Sequence, residues 1–275
     1  MNKVAFVTGA SRGIWRETAL AFARAGFDLA ISARSVEEGE RHTHGLSNPD
    51  GTPLPGSLNG TAEAIRALGR KALVVPMDLL DSASVLAASK AVFAEYGRVD
   101  VLINNAIYQG SDLNAAFMAL DPTTLERVFQ GYVMTPFLLT RAVVDGMLEQ
   151  GGGVVINVTS GAGESDPPVA AGKGGWGYAY GAGKAVVSRL SGILSVELGE
   201  QGIRAYTLNP GVVTTDALRA TIGDKGVIAL RAGSAPPEVP AAVMLWLATD
   251  PAAVDHQRKT IHCQPFAREH AIVQW

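Results

Sequence analysis

Lys3-Val4-Ala5-Phe6-Val7 runs directly into Thr8-Gly9-Ala10-Ser11-Arg12-Gly13-Ile14-Trp15, then into Thr18-Ala19-Leu20-Ala21-Phe22-Ala23-Arg24-Ala25 before Gly26. The first run is short and apolar, as a buried strand is. The last stretch has the pattern of a helix, with Gly26 as its stop. Strand, glycine-rich turn and helix in that order make an anion site, because free backbone N–H groups and the helix N-terminus face the turn. Gly9 permits the tight turn, and Gly13 lets the backbone come close to a pyrophosphate.

Beyond this unit, apolar runs alternate with helical stretches along the chain. Strands are predicted at 4–7, 28–32, 72–76, 99–103, 154–158, 203–208 and 260–262. Helices are predicted at 12–25, 61–68, 82–96, 124–149, 178–200 and 239–248. Such alternation predicts an α/β fold, a doubly wound parallel sheet covered by helices on both faces. A length of 275 residues suits one large domain or two small ones. With no internal repeat and no linker, the whole chain reads as a single domain. Two glycine- and proline-rich stretches, 35–60 and 161–177, read as long insert loops.

Composition narrows the function classes. Hydrophobic residues make up 47%, enough for a sizeable core, and charged residues only 18%, too few for a disordered chain. The net charge is −3 and no basic stripe marks a nucleic-acid binder. Cys263 is the only cysteine, which excludes an intrachain disulfide and a thiolate metal cluster. His42 and His44 lack a carboxylate or cysteine cluster, so no metal site is expected. The first strand begins almost at Met1, and no apolar run approaches membrane-spanning length. The expectation is a soluble cytoplasmic protein.

The chemistry is suggested further along. Ser160 closes the apolar run Val154-Val155-Ile156-Asn157-Val158-Thr159, and Tyr180 and Lys184 stand four residues apart. On a helix, i and i+4 share a face, so an ammonium lies beside a phenol. A free phenol has a pKa of about 10 and is a poor base near neutrality; a nearby positive charge favours phenolate. The Ser160 hydroxyl can hydrogen-bond and orient a substrate oxygen. Tyr178 lacks a lysine four residues on, since position 182 is Ala. Gly9, Asn104, Ser160 and Pro210 all follow predicted strands, at the end of the sheet where ligands bind.

Taken together, Thr8-Gly9-Ala10-Ser11-Arg12-Gly13, Asn104-Asn105-Ala106, Ser160, Tyr180-x-x-x-Lys184 and Asn209-Pro210-Gly211 resemble the short-chain dehydrogenase/reductase family over nearly the whole chain. The resemblance implies a Rossmann-like fold and an NAD(P)-dependent oxidoreductase acting on a secondary alcohol or ketone. It implies Tyr180 as general acid/base, Lys184 as the group that lowers the tyrosine pKa and holds the nicotinamide ribose, and Ser160 as the group that polarises the reacting oxygen. It further implies Thr8, Gly9, Ser11, Arg12, Gly13 and Ile14 at the cofactor phosphates. Asp78, Leu79, Asn104 and Ala106 would lie on the adenosine side, Thr215 near the carboxamide, and Pro210, Gly211 and Val213 among the cofactor-binding residues. Homodimers or homotetramers through the long helices are expected from the same resemblance, with no nucleic-acid or membrane partner.

Cofactor choice is read from the second strand. An acidic residue at its end would bind the adenine ribose hydroxyls and suggest NAD. Here the strand ends Ile31-Ser32-Ala33-Arg34, and Arg34 with Arg12 can pair with a 2′-phosphate. NADP is therefore expected, with NAD the alternative.

Four departures from the family pattern stand out. Trp15 occupies the place of a third glycine, where an indole either obstructs the pyrophosphate or points away from it. Ile107 replaces the glycine after Asn-Asn-Ala and should stiffen that turn. Tyr132 stands where an asparagine supports a proton-relay water. Ser160 and Tyr180 are twenty residues apart, more than is typical. Trp15 and Tyr132 motivate the alternative of a catalytically impaired member acting as a binding or scaffold subunit. Trp176 reads equally as a pocket wall or as loop packing. Apolar Val169, Ala170 and Trp176 suggest a partly hydrophobic substrate, and Glu164 and Asp166 are read as solvated loop charges. The stretch 264–275 is expected to cover either a neighbouring subunit or the substrate mouth.

Overall fold

The apolar runs become strands buried on both faces, which is what a parallel sheet under two helical layers requires. In the computed structural model, which describes residues 2–220 and 233–275, seven strands form one parallel sheet. They are β1 (Val4–Thr8), β2 (Asp28–Ala33), β3 (Ala72–Pro76), β4 (Val101–Asn104), β5 (Gly153–Val158), β6 (Ile203–Asn209) and β9 (Thr260–His262). Their order across the sheet is β3-β2-β1-β4-β5-β6-β9. A second, two-stranded ribbon pairs β7 (Val212–Val213) with β8 (Ser234–Ala235).

The helices are α1 (Gly13–Arg24), α2 (Leu58–Ala67), α3 (Ser82–Tyr96), α4 (Pro122–Val128), α5 (Thr135–Glu149), α6 (Tyr178–Leu198), α7 (Glu238–Thr249) and α8 (Cys263–Glu269). Successive side chains of a strand point to opposite faces. Ala5 and Val7 of β1 thus join the cluster under α1, α2, α7 and α8, while Phe6 joins the one under α3 and α5. Fully buried side chains such as Phe6 and Phe22 each contribute roughly 1.5–3 kcal/mol relative to exposure.

Several boundaries differ from the sequence expectation. Helix α2 starts earlier than predicted, at Leu58, because the Ser57 hydroxyl caps it by accepting the Gly60 N–H at 3.0 Å. The predicted helix 124–149 is one helical run interrupted by a π turn over Phe129–Met134. Short β7, β8 and α8 lack a periodic signal long enough to read. The stretch after Gln264 covers its own domain: α8 packs on α7, with Phe266 between Trp246 and His270. No helix among the described residues is long and apolar enough to cross a membrane.

The strand order reverses beside β1, whose neighbours are β2 and β4. Loops leave that point in opposite directions and open a crevice at the carboxyl ends of the strands. Thr8 holds the two central strands together there. Its hydroxyl donates to Ile103 O (3.0 Å) and accepts the N–H groups of Asn105 (3.0 Å) and Ala106 (3.1 Å).

Candidate active site

The crevice is a cavity of about 440 Å3. At one end lies the β1–α1 turn with Gly9, Ser11, Arg12, Gly13 and Ile14; at the other lie Ser160, Tyr180 and Lys184. Leu79, Ala106, Arg34, Pro210, Gly211 and Thr215 line it as well. A volume in this range accommodates a cofactor-sized ligand.

The turn is built for close approach. Gly9 and Gly13 have φ of +80° and +59°, a conformation that costs an L side chain dearly. A Cβ on Gly9 would lie 3.4 Å from Ala106 Cα. The Arg12 guanidinium donates to Ser35 Oγ (3.1 Å) and Gly56 O (3.0 Å), while its Nε is buried without a partner. Burial lowers the Arg12 pKa, and Glu38 and Asp216 oppose that effect. A buried donor with no acceptor beside a cradle of positive-φ glycines fits a bound anion, as a dinucleotide pyrophosphate or 2′-phosphate would supply.

At the other end, Ser160 leaves β5 in an extended conformation and its hydroxyl accepts the Ala162 N–H at 3.3 Å. Tyr180 and Lys184 share one face of the first turns of α6. Burial raises the Tyr180 pKa, partly offset by a hydrogen bond from Ser160. The pKa lowering expected from Lys184 is therefore not what dominates here. The reason is geometric: the Lys184 ammonium donates to Val158 O at 2.8 Å and lies 5.7 Å from the centre of the Tyr132 ring. Burial pushes the lysine itself down to about 7.

That burial has a consequence for stability. The folded state favours neutral lysine, whereas the unfolded chain holds its proton up to the ordinary value of 10.5. The unfolded state thus binds more protons in this window, and stability falls as pH drops from 10.5 towards about 7. Lys184→Met removes this linkage. Its melting temperature relative to the parent should rise by several degrees between about pH 10 and pH 7. A constant difference across that range in thermal melts would contradict the buried-lysine geometry.

Some sequence-predicted residues stand elsewhere. Asp78 does not line the cavity; its carboxylate accepts the Leu80 N–H at 2.9 Å, while Met77 and Leu79 face the crevice. Asn104 is buried between Thr140 (2.6 Å) and Asn157 (3.0 Å), and Asn105 lines the cavity in its stead. Val213 is buried in the core under α7. The Thr8 hydroxyl is committed to the strand ends described above.

The departures resolve individually. Trp15 is half-buried, packs against the core and lines the cavity without closing it. Ile107 avoids positive φ. Tyr132 is fully buried and donates to Tyr108 O at 3.0 Å, so its proton is committed to the backbone after β4. Tyr108 in turn donates to Asp112 at 2.8 Å, which pins the segment after β4.

No residue of the loop 161–177 lines the cavity. Val169 is exposed, and Trp176 packs on α6 beside Gly181, so the apolar-substrate argument loses its support. Glu164 is not simply solvated, because it accepts from Asn209 (3.4 Å) and lies 3.6 Å from His262. Sequence reasoning missed Gln109, Asp216 and the insert residues Glu40, Arg41 and His42, all of which line the cavity. None carries a local signature; chain topology alone brings them there.

Known proteins share this arrangement. The chain is 31% identical over 78% of its length to the short chain dehydrogenase mpl6 of Monascus purpureus, and spans 66% of that protein. It is 33% identical to the D-threitol dehydrogenase of Mycolicibacterium smegmatis over 92% of this chain and 88% of that one. Among solved structures, a 7α-hydroxysteroid dehydrogenase complexed with NADH and 7-oxo glycochenodeoxycholic acid superposes with a TM-score of 0.77, at 26% identity, over 94% of this chain and 92% of that one. The short chain dehydrogenase family model matches residues 54–225, more than half of the chain, and the protein belongs to that family.

Proposed function

We propose that the protein transfers a hydride between NADP(H) and a secondary alcohol or ketone, with Tyr180 as general acid/base. The observation that carries this reading is the convergence of Ser160, Tyr180 and Lys184 on the same cavity as the Gly9–Gly13 turn. The nicotinamide, when bound, supplies or accepts the hydride. In reduction, Ser160 Oγ donates to the carbonyl oxygen and holds it, and Tyr180 gives its proton to that oxygen as negative charge develops. In oxidation, the same phenol takes the proton back. Lys184 lines the same cavity as Tyr180, and its Nζ, held by Val158 O, is the donor that a cofactor ribose would meet.

NADP is favoured because β2 ends without a carboxylate, while Arg34 and Arg12 line the cavity. NADPH is expected to bind at least about tenfold tighter than NADH in a fluorescence titration. A preference for NADH would overturn the cofactor choice, and binding of neither would overturn the oxidoreductase reading. The relative acting on D-threitol covers most of the chain, so polyols and hydroxy ketones head the substrate screen. Phe137 on α5 and Val186, Ile193 and Val196 on α6 are exposed apolar side chains, which supports a homo-oligomer through these helices. A monomer mass in light scattering would contradict it.

A further inference from the structure

The stretch between Ser160 and Tyr180 is long and rich in glycine, and such a stretch does little by itself to fix where Ser160 stands. The turn after Ser160 is anchored instead at its far end. Gly163 lies flush on the backbone of α6, where a Cβ would come within 2.6 Å of Lys184 C. Glu164 follows it and closes the turn. Its N–H donates to Gly161 O at 3.0 Å, and the Ser165 N–H donates to the same oxygen at 3.1 Å.

The Glu164 side chain reaches the ends of two further strands. Asn209 closes β6 and His262 closes β9, and the two are partners in the strand register. Partners in register point their side chains to the same face of a sheet. Glu164 Oε1 accepts from Asn209 Nδ2 at 3.4 Å, and Oε2 lies 3.6 Å from His262 Nε2. The Asn209 amide is oriented at its other end, where Oδ1 accepts the Gly211 N–H at 3.0 Å, which leaves its NH2 group to the carboxylate. Pro210 and Gly211 line the cavity, and Gln264 Nε2 braces the next residue by donating to Val212 O at 2.9 Å. One carboxylate thus joins the turn that carries Ser160 to the turn that carries Pro210 and Gly211, although Glu164 itself does not line the cavity.

We propose that Glu164 is a positioning residue: through Asn209 and His262 it sets where Ser160 Oγ stands relative to Tyr180 and to the Pro210–Gly211 wall. The proposal rests on the reading of Ser160 as the group that holds the reacting oxygen. Rate is sensitive to such placement, since a displacement of about 1 Å costs on the order of 10²-fold. Stability is much less so, because Glu164 and His262 are partly exposed and ion pairs open to water contribute little to folding. Loss of this clamp is therefore read in turnover rather than in melting.

The test is a set of full-length variants, Glu164→Ala, Glu164→Gln, Ser160→Ala and the double variant Glu164→Ala/Ser160→Ala. They are assayed on the polyol or hydroxy ketone that the parent turns over fastest. Glu164→Ala should lower kcat by about tenfold, with the cofactor Kd within about twofold and the melting temperature within about 2 °C of the parent. Glu164→Gln keeps an oxygen for Asn209 Nδ2 and should recover kcat to within about threefold of the parent. A residue that works through Ser160 has nothing to position once that hydroxyl is gone. Ser160→Ala and the double variant should therefore agree in kcat within about twofold. If Glu164→Ala does not fold, His262→Ala, which removes one of the two holds, must show the same loss and the same dependence on Ser160. Parental kcat in Glu164→Ala, no recovery in Glu164→Gln, or a further loss of about tenfold in the double variant overturns the proposal. A parent without turnover, or a Ser160→Ala variant with parental kcat, removes the reading of Ser160 and this proposal with it. A slow Ser160→Ala beside an unchanged Glu164→Ala removes only the clamp.

Discussion

Tyr180→Phe should lower kcat by about 10²–10⁴-fold on the substrate found by the screen while leaving the NADPH Kd within about twofold. The substitution deletes only the hydroxyl; the ring keeps its place in the first turn of α6. Tyr180 lines the cavity together with Ser160, and burial raises its pKa, which favours the protonated state that a carbonyl reduction uses. The Gly9–Gly13 turn, proposed to hold the cofactor phosphates, is at the other end of the cavity. Separate measurements of kcat and cofactor binding therefore isolate proton transfer. Turnover within about tenfold of the parent would remove Tyr180 from the acid/base role.

The second large effect is expected at Gly163, which touches no reacting group. The turn that follows Ser160 meets α6 there with almost no gap. A Cβ on Gly163 would lie 2.6 Å from Lys184 C and 2.7 Å from Ala185 N, both backbone atoms that cannot rotate away. Gly163→Val must push the Ser160 turn off the helix that carries Tyr180 and Lys184. A displacement of about 1 Å at a catalytic constellation costs on the order of 10²-fold in rate. Overpacking also costs about 1–3 kcal/mol of stability. Gly192→Ala is the contrast within the same helix: nothing lies within 4 Å of its Cβ. It should leave kcat unchanged and stabilise by about 0.5–1 kcal/mol. If Gly163→Val kept parental kcat, the Ser160–Tyr180 spacing would not be set by this contact.

Much of the fold and of the candidate site is legible in the amino-acid sequence. The runs at Val4–Thr8 and Gly153–Val158 and the glycine turn between β1 and α1 are local patterns, and hydrophobic period with turn chemistry determines them. Ser160, Tyr180 and Lys184 are legible for the same reason, since their positions after a strand and on one helix face follow from spacing. Asp78 and Val213 are expected beside a bound cofactor, yet neither is among the residues that line the cavity. One residue of twist decides whether a side chain enters a crevice or the core, and the neighbouring strands set that twist. Tyr132 illustrates the limit: its place in the chain is readable, but not that Tyr108 O takes its hydroxyl.

By itself, then, the sequence determined the strand–helix alternation, the parallel sheet, the glycine-rich turn after β1 and the placing of Ser160, Tyr180 and Lys184 as candidate site residues. Each depends on residues near one another in the chain. Tertiary structure alone decided that Lys184 is buried beneath the Tyr132 ring, that Asn105 lines the crevice, and that Glu40, Arg41 and His42 of the insert after β2 line it too. These depend on contacts between distant segments, whose partners no local period encodes. Burial and charge at the site are properties of that packing, and so are the pKa shifts of Tyr180 and Lys184 that follow from it.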